Sequence, residues 1–463
     1  MGEINEEGEW AYDPTFKRLY LWPKGDVPEN VEFTYREYGV RTYDGTSWNI
    51  VRGLTMRNSY TYGIYLYMAS NMRIENNTVE HAFDCGIYAQ AAQGKCENNR
   101  IADNTVKYSS ATGIAMDRTA WNNTVEGNFV YATGTDQFGG DLMNGPSHGV
   151  YISGPAARVY NNRIDRTGSV ALYLSGSVLG RDVSYNYITN AALALSDTGA
   201  MYMGSFYAGL EKDHIHHNII EDSFGCRTMD KQYDLGTAQT IENYSGDAQG
   251  IYVDEEGNNR IIEYNTVIGC SFAGILFHWA PSNIVQKNTL YGNDVAQVYL
   301  SGKNEPRKIL VDDILVDNIM FATDAEQKTL YIGMNYDDVH FGRSDNNYFY
   351  NPHANRHIYV SRYVADEAGT TRVVRQDLTL DGWRAMSGYD ANSRDFSYLE
   401  QLDTMALASP RTSRIVYNTT LDVATIDLEG NTYCDVEGNK ISGTVTLQPF
   451  ESKILIPSDF EIP

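Results

Sequence analysis

Short phrases of alternating apolar and outward-facing residues recur along the chain. The first residue of a phrase is usually Gly, and the second is apolar. The third residue is often Tyr, and in most phrases a further apolar residue follows it. The phrases occupy residues 63–66, 86–88, 113–116, 149–152, 171–174, 199–202, 250–253, 274–277 and 297–300. Most successive starts lie 22 to 28 residues apart. Alternate residues of a strand face opposite sides, so the apolar positions predict two inward columns and the Tyr positions predict an outward column.

A second phrase keeps the same spacing and consists of Asn followed two positions later by Val, Ile, Leu or Met. Its members are Asn77, Asn104, Asn128, Asn162, Asn186, Asn218, Asn265, Asn288 and Asn318. We expect these asparagines to lie at turns, where their amides bond the turn backbone and one another. A repeat of this length, with short strands and no helical pattern, indicates that each repeat is one coil of a solenoid.

The sequence therefore predicts an all-β protein, a right-handed parallel β-helix with a small C-terminal antiparallel β module. Leucine-rich repeats would need a helical half, and propellers would need blades of about 40 residues. We expect capping strands over 1–47, the β-helix catalytic domain over 48–350 and the β module over 351–463. A helical turn is expected near Trp383.

Composition limits the partners. The net charge of −24 disfavours nucleic acid, which needs clustered Lys and Arg, and no apolar run approaches the roughly 18 residues of a membrane span. The opening Met1-Gly2-Glu3 lacks a signal peptide. We nevertheless expect a secreted or cell-surface protein whose signal is absent from this sequence. A separate subunit or a further N-terminal segment that assists folding is a possible partner.

The five cysteines show no spacing typical of zinc ligands. We expect them to be small buried side chains, with a disulfide between Cys85 and Cys96 as the alternative. No cofactor is expected. A calcium site formed by Asp254, Glu255 and Glu256 is a weaker alternative, because the EF-hand pattern is missing.

The outward face carries the candidate chemistry. Its Tyr column suits the apolar side of a sugar ring, although stacked tyrosines also stabilise strands. The outward column two residues further on contains Met203, Asp254 and His278, the last two on adjacent coils. Asp84 and Asp117 lie several coils away and are interpreted as structural.

Two long insertions, 133–148 and 204–246, are expected to form loops beside this face. The second leads to Asp247, and Asp197 holds nearly the same place one coil earlier, so we expect these two to be neighbours. Glycosidic cleavage needs two carboxyl groups at short range. Asp247 and Asp254 would lie over about 20 Å apart on a straight strand, so they meet only if the chain bends near Gly246 or Gly250. Each of these acids also fits a turn-forming role.

Several segments resemble bacterial β-helix enzymes that act on carbohydrates: GEW at 8–10, LWP at 21–23, DTGAMY at 197–202, GIYVD at 250–254 and GYDANS at 388–393. Two aspartates seven residues apart are similar to the catalytic pair of lacto-N-biosidases of glycoside hydrolase family 136. That resemblance implies release of lacto-N-biose from milk-type glycans, with retention, by Asp247 as acid/base and Asp254 as nucleophile. The phrase at Asp197 also resembles families 141 and 120, fucosidase and xylosidase lineages, which would pair Asp197 with Asp254.

The predicted substrate is thus an oligosaccharide, bound by His278, Tyr252, Tyr202 and Trp279. Two other classes share the fold. A polysaccharide lyase would need Lys or Arg on the face, where lysines are scarce, and an acidic polymer would be repelled by the negative charge. A tailspike-like glycan-binding protein would use the tyrosines without catalysis.

Overall fold

The computed structural model describes residues 4–135, 147–176, 180–206, 211–225, 246–365, 370–397, 412–460 and 462. An antiparallel hairpin of β1 (Trp10–Asp13) and β2 (Arg18–Leu21) comes first. It exposes Trp10 and Phe16, and its predicted capping role stays a prediction. After the hairpin, short parallel strands stack into three long sheets. This arrangement is the predicted parallel β-helix.

The first sheet, which we name the ladder sheet, carries the predicted outward Tyr column. Its strands pair in parallel up to the last one, which pairs antiparallel. They are β3 (Tyr38–Arg41), β6 (Tyr62–Tyr67), β9 (Cys85–Gln90), β13 (Thr112–Met116), β17 (Val150–Ile152), β20 (Leu172–Leu174), β23 (Thr198–Met203), β26 (Ala248–Val253), β29 (Ala273–His278), β32 (Ala296–Gly302), β35 (Lys328–Met334), β38 (Ile358–Ala365) and β39 (Thr371–Leu378).

The second and third sheets close the other sides of the coil. The second sheet contains β4 (Ile50–Arg52), β7 (Arg73–Glu75), β11 (Arg100–Ala102), β15 (Thr124–Glu126), β18 (Arg158–Tyr160), β21 (Asp182–Ser184), β24 (Asp213–His216), β27 (Arg260–Glu263), β30 (Ile284–Gln286), β33 (Asp313–Val316) and β36 (Gly342–Asp345). The third contains β5 (Thr55–Arg57), β8 (Thr78–Glu80), β12 (Thr105–Lys107), β16 (Phe129–Thr133), β19 (Arg163–Thr167), β22 (Tyr187–Ala191), β25 (Ile219–Ser223), β28 (Thr266–Ile268), β31 (Thr289–Tyr291), β34 (Ile319–Phe321), β37 (Tyr348–Tyr350) and β40 (Arg394–Phe396). A short parallel pair, β10 (Cys96–Glu97) and β14 (Ala120–Trp121), lies at a turn.

The C-terminal part is the predicted antiparallel module. Its four strands are β41 (Arg414–Tyr417), β42 (Ala424–Cys434), β43 (Lys440–Leu447) and β44 (Ser452–Pro457). The helical turn near Trp383 is helix α1 (Leu380–Ser387), which begins where the Thr379 hydroxyl accepts from the Gly382 amide and ends at Gly388 with φ 72°.

The β-helix extends past both predicted boundaries. Its first parallel pairing already involves Tyr38, ahead of residue 48, and its last, between β37 and β40, ends at Phe396, beyond residue 350. The reason at the far end is that 358–360 keeps the apolar, Tyr, apolar order of the repeat without its leading Gly. The described part of the module therefore begins later, at residue 412.

Two inward apolar columns form the core, as predicted. The first column is fully buried and consists of Ile64, Ile87, Ile114, Val150, Leu172, Met201, Ile251, Ile275, Val298 and Leu330. Stacking of like side chains from coil to coil removes this column from water along the whole solenoid.

The predicted asparagine ladder is present along the turns. The side-chain nitrogen of each member donates to the side-chain oxygen of the next, over 2.9 to 3.2 Å. It runs through Asn77, Asn104, Asn128, Asn162, Asn186, Asn218, Asn265, Asn288, Asn318 and Asn347. Because each amide is buried and fully paired, these turns keep a fixed register.

The predicted burial of the cysteines is confirmed for Cys85, Cys96, Cys270 and Cys434, all of which are buried. The alternative disulfide is wrong, because Cys85 and Cys96 are free thiols that contact backbone carbonyls of different coils. Cys226 lies outside the described residues. Across the described ranges, no helix has the length and apolar character needed to cross a membrane.

Candidate functional site

A ladder of aromatic side chains covers the outer face of the ladder sheet. The strand register aligns Tyr65, Tyr88, Ala115, Tyr151, Tyr173, Tyr202, Tyr252, Leu276, Tyr299, Tyr331 and Tyr359. We call this column the tyrosine ladder. Ring centroids of Tyr202 lie 5.0 Å from Tyr173 and 5.1 Å from Tyr252. Two residues, Ala115 and Leu276, interrupt the series of rings.

The register in one coil differs from the predicted one by a residue. Met201 pairs with Ile251 and Met203 with Val253, so Met203 is fully buried in the core. Its predicted outward position is therefore wrong. The coil's leading Gly stands one residue early, and Gly204 takes the outward place beside Asp254.

Asp254 is the centre of a hydrogen-bonded group at the end of β26. Its Oδ1 lies 2.7 Å from Nδ1 of His278 on the next coil, and the hydroxyl of Tyr202 from the preceding coil donates to its Oδ2. The hydroxyl of Tyr252 lies 3.3 Å from the same His278 nitrogen and donates to Oδ1 of Asp197 over 3.2 Å. We call these five residues the Asp254 cluster.

Burial, charge and hydrogen bonding set the protonation of three members of the cluster. Burial raises the pKa of Asp254, but hydrogen bonds from His278 and Tyr202 outweigh burial and hold its pKa below the ordinary value. Burial and the nearby Asp254 carboxylate raise the pKa of both Tyr202 and Tyr252. Asp254 is therefore an ionised carboxylate at neutral pH, and both phenols are neutral donors.

Asp197 and Asp254 lie at a separation compatible with a catalytic pair. The contacts that run from Asp197 through Tyr252 and His278 to Asp254 are 3.2, 3.3 and 2.7 Å long. They limit the separation of the two carboxylates to no more than roughly 9.5 Å, the upper bound for glycosidase pairs. Asp197 is exposed at the turn before β23 and has a φ of 52°, a left-handed conformation that Asp tolerates. Its carboxylate is thus accessible to a ligand.

Asp247 lies just before β26, at the end opposite to Asp254. The register places it beside Asp197, because Thr198 pairs with Ala248 and donates to the Asp247 carbonyl. Its Oδ1 accepts from the side chain of Gln249 over 2.7 Å. At about 3.3 Å per residue, the intervening strand separates the backbones of Asp247 and Asp254 by roughly 20 Å.

The strand between these two aspartates is irregular at Gly250. A Cβ on Gly250 would meet the core side chain of Val267 at 2.2 Å, so this position faces inward, as does the following Ile251. Two successive inward residues break the alternation expected for a strand. Burial raises the pKa of Tyr299, a member of the tyrosine ladder, and the nearby charge of Asp247 adds to this effect.

Trp279 lies against the cluster. Its ring centroid is 4.0 Å from that of His278, and the ammonium groups of Lys303 and Lys308 lie 4.3 and 4.8 Å from its centroid. These cations contact the Trp279 ring through its π electrons. The predicted ligand side chains His278, Tyr252, Tyr202 and Trp279 thus form one continuous surface around Asp254.

A group of buried charged side chains lies beneath the turn that follows Asp254, and the sequence did not indicate it. Arg181 and Asp213 form a fully buried ion pair over 2.5 Å, and Arg260 lies 3.5 Å from the same carboxylate oxygen. Arg260 also donates to the carbonyls of Gly204 and Asn258. Gly204 lies beside Asp254 on the preceding coil, and Asn258 follows Asp254 in the same turn. Three charges spread over 181–260 have no local spacing signal, so only the fold brings them together.

The calcium alternative has little geometric support. Glu255 contacts Lys308 at 3.5 Å and Glu256 contacts Arg307 at 3.6 Å, while Asp254 contacts His278. Within the ranges that the structure covers, no group of three or more His, Cys, Asp or Glu side chains is arranged around a metal site. The predicted loop 133–148 lies largely outside the described residues. The predicted loop 204–246 is wrong over 213–223, because β24 and β25 continue the second and third sheets there. Residues 207–210 and 226–245 of that loop lie outside the described residues.

Several solved structures are similar to this chain at low sequence identity. The Agl-KA catalytic domain is 10% identical with a TM-score of 0.37, over 68% of this chain and 57% of that one. The catalytic unit of an α-1,3-glucanase of family GH87 from Streptomyces thermodiastaticus is 11% identical with a TM-score of 0.35, over 62% of this chain and 51% of that one. The chain therefore spans little more than half the length of these two proteins.

A third structure, the tailspike protein of E. coli bacteriophage HK620 in complex with a pentasaccharide, is 12% identical with a TM-score of 0.33, over 90% of this chain and 84% of that one. No curated protein sequence matches the chain significantly. A family model described as the right handed beta helix region matches residues 20–148 and 148–318. Since these matches cover more than half of the chain, the protein belongs to the right-handed β-helix family.

Proposed function

We propose that the protein is a glycoside hydrolase whose reaction centre is the Asp254 cluster. One observation carries the proposal: an ionised Asp254 lies on a tyrosine-covered face and is connected through His278 and Tyr252 to a second, exposed carboxylate, Asp197. Two carboxyl groups and an aromatic surface are the parts that glycosidic cleavage requires.

The pKa of Asp254 supports its role. A carboxylate held ionised suits a nucleophile on the sugar carbon or a base that activates water, and does not suit the acid. Both of its oxygens are hydrogen-bonded, to His278 and Tyr202, so it is held in one orientation. The other carboxyl group of the pair then protonates the leaving oxygen.

Asp197 and Asp247 are the two candidates for that acid. The hydrogen bond from Tyr252 supports Asp197 as the acid, since it connects Asp197 through Tyr252 and His278 to Asp254. The resemblance to lacto-N-biosidases supports Asp247 and a milk-type glycan. The resemblance to fucosidase and xylosidase lineages supports Asp197. We propose Asp197, with an oligosaccharide as substrate.

A lyase reaction has less support from the surroundings of the cluster. The nearby Lys303 and Lys308 both lie over Trp279 and pair with Glu305. A lyase base has to reach the proton that it abstracts, and both of these amine groups are already engaged by Trp279 and Glu305. We therefore favour hydrolysis, by a protein that we expect to be secreted or on the cell surface.

The test is analysis of the products that the purified protein forms from milk-type and from plant-type oligosaccharides, beside Asp197→Asn and Asp247→Asn. Asp165→Asn, on the third sheet, is the matched control. We expect cleavage by the parent and the control, and a fall in kcat of roughly 10²- to 10⁴-fold for Asp197→Asn. Loss of turnover in Asp247→Asn but not in Asp197→Asn would assign the role of the general acid to Asp247. No cleavage of any substrate would contradict hydrolysis and favour a glycan-binding protein.

A further inference from the structure

A groove opens where Ala115 interrupts the tyrosine ladder. It encloses about 510 Å³ and is lined by ladder residues on both sides of Ala115, including Tyr88 and Tyr151. The methyl group of Ala115 leaves free the space that a phenol ring occupies on the neighbouring coils. The groove thus has aromatic walls and a small floor.

Two polar side chains that line this groove have no hydrogen-bond partner within the part of the chain that the structure describes. Nδ1 of His148 is buried and has no hydrogen-bond partner among the described residues. The Asp84 carboxylate likewise has no hydrogen bond or ion pair within the described ranges, and burial raises its pKa. Asp84 is half-buried and Nδ1 of His148 is fully buried. Since polar groups removed from water are normally paired, these two are available to a ligand with hydroxyl groups.

Packing holds the imidazole of His148 in place. Its ring is stacked on Tyr151, with centroids 5.8 Å apart, and meets Tyr173 edge to face at 5.0 Å. Burial lowers its pKa to about 4, so the ring is neutral at pH 7. A neutral, fixed imidazole presents either a donor or an acceptor without attracting anions.

Asp117, in the same groove, has a different role. Its Oδ1 accepts from both the amide and the hydroxyl of Thr119, over 3.1 and 2.9 Å, and so holds the turn after β13. This agrees with the structural role predicted for Asp117. The structural role predicted for Asp84 stays a prediction, because its carboxylate makes no such turn contact among the described residues. The groove therefore contains one carboxylate held by a turn and one that has no partner in the described ranges.

The tyrosine ladder connects the groove to the Asp254 cluster. Tyr151 lies 5.5 Å from Tyr173, which lies 5.0 Å from Tyr202 of the cluster. Four coil spacings of about 4.8 Å, roughly 19 Å in all, separate Ala115 from Tyr252. A single extended glycan chain is long enough to lie on both places.

We propose that the groove at Ala115 is a second glycan-binding site, which holds a neutral sugar unit between Tyr88 and Tyr151 by hydrogen bonds to Asp84 and His148. The inference rests on the proposed function, because it assigns the remote end of the same oligosaccharide. The carboxylates of the groove select against uronates and other acidic sugars. The protein then prefers glycans that span about four coils.

The experiment fills the groove. Ala115→Tyr supplies the ring that other coils carry at this position, so the fold should accept it. The matched control, Thr105→Tyr, adds a tyrosine to the same coil on the third sheet, opposite Phe129. Both changes are made in an Asp254→Asn background, and cellohexaose, xylohexaose, maltohexaose and a milk-type hexasaccharide are each titrated by calorimetry.

We expect at least one hexasaccharide to bind, and Ala115→Tyr and His148→Ala each to weaken it by about tenfold or more, the effect of losing one buried hydrogen bond or contact. Thr105→Tyr should leave the affinity unchanged. Failure of every hexasaccharide to bind, or equal affinity with and without Ala115→Tyr, would overturn the second site. The proposed hydrolysis fails separately, if the protein with an intact Asp254 cleaves nothing.

Discussion

The two interruptions of the tyrosine ladder differ in what surrounds them. At Leu276 the side chain is buried and packs with Tyr252 and Ala273, and the polar groups beside it are hydrogen-bonded to one another in the Asp254 cluster. Ala115 is buried to the same extent, but its short side chain leaves a groove of about 510 Å³ beside it. In that groove the Asp84 carboxylate and Nδ1 of His148 have no hydrogen-bond partner among the described residues.

This contrast distinguishes two tasks on one face. A group that takes part in a reaction has to be held in a fixed orientation and protonation state, and the partners of Asp254 do so. A group that only binds a ligand gains most when its hydrogen bonds are left for that ligand. We therefore interpret the Leu276 region as the reaction centre and the Ala115 groove as a place of recognition.

The largest effect that separates the two interruptions concerns stability. Leu276→Ala removes a buried side chain between Tyr252 and Tyr299, and we expect it to lower the free energy of unfolding by about 2 to 3 kcal/mol. Ala115→Leu adds atoms to an open groove and should change it by less than about 0.5 kcal/mol. Denaturant unfolding of both variants checks the difference. Equal costs would show that the Ala115 groove is packed in solution.

A smaller effect concerns pH. Burial lowers the pKa of His148 to about 4 in the folded protein, below the roughly 6.5 of an unfolded histidine. The unfolded chain therefore binds the proton first, and the protein loses stability as the pH falls from about 6.5 towards 4. His148→Gln should lower this acid sensitivity, measured as the change in Tm between pH 7 and pH 5.

A comparison of the His148→Gln variant with the parent at pH 8, where both side chains are neutral, isolates the part of its effect that does not depend on pH. If the parent and the variant lose the same Tm on acidification, His148 is not held neutral by burial. The contrast between a neutral His148 in the groove and an ionised Asp254 would then be lost.

Much of the fold could be predicted from the sequence because the repeat acts locally. Each Asn of the turn phrase bonds the next one, and each apolar column stacks on itself, so one coil predicts its neighbours. The prediction failed at Met203, where the leading Gly stands one residue early in its coil. A local pattern gives no sign of such a shift, which only the pairing of Met201 with Ile251 shows.

The candidate site was predictable in part. Asp254 and His278 share an outward column, so their contact follows from the repeat. The hydrogen bond from Tyr252 to Asp197 depends on side-chain geometry across coils and could not be predicted. The gaps at Ala115 and Leu276 were visible in the sequence as missing tyrosines. Their meaning was not, because it depends on which neighbouring polar groups have partners.

The most direct test of the central claim is kcat of Asp254→Asn on the best oligosaccharide substrate, beside the parent and Asp165→Asn. The substitution keeps the size of the side chain and removes the negative charge that His278 and Tyr202 stabilise. We predict a fall in kcat of roughly 10²- to 10⁴-fold, with Tm close to that of the parent and normal turnover in the control. A kcat for Asp254→Asn within tenfold of the parent would contradict the assignment of the reaction centre to the Asp254 cluster.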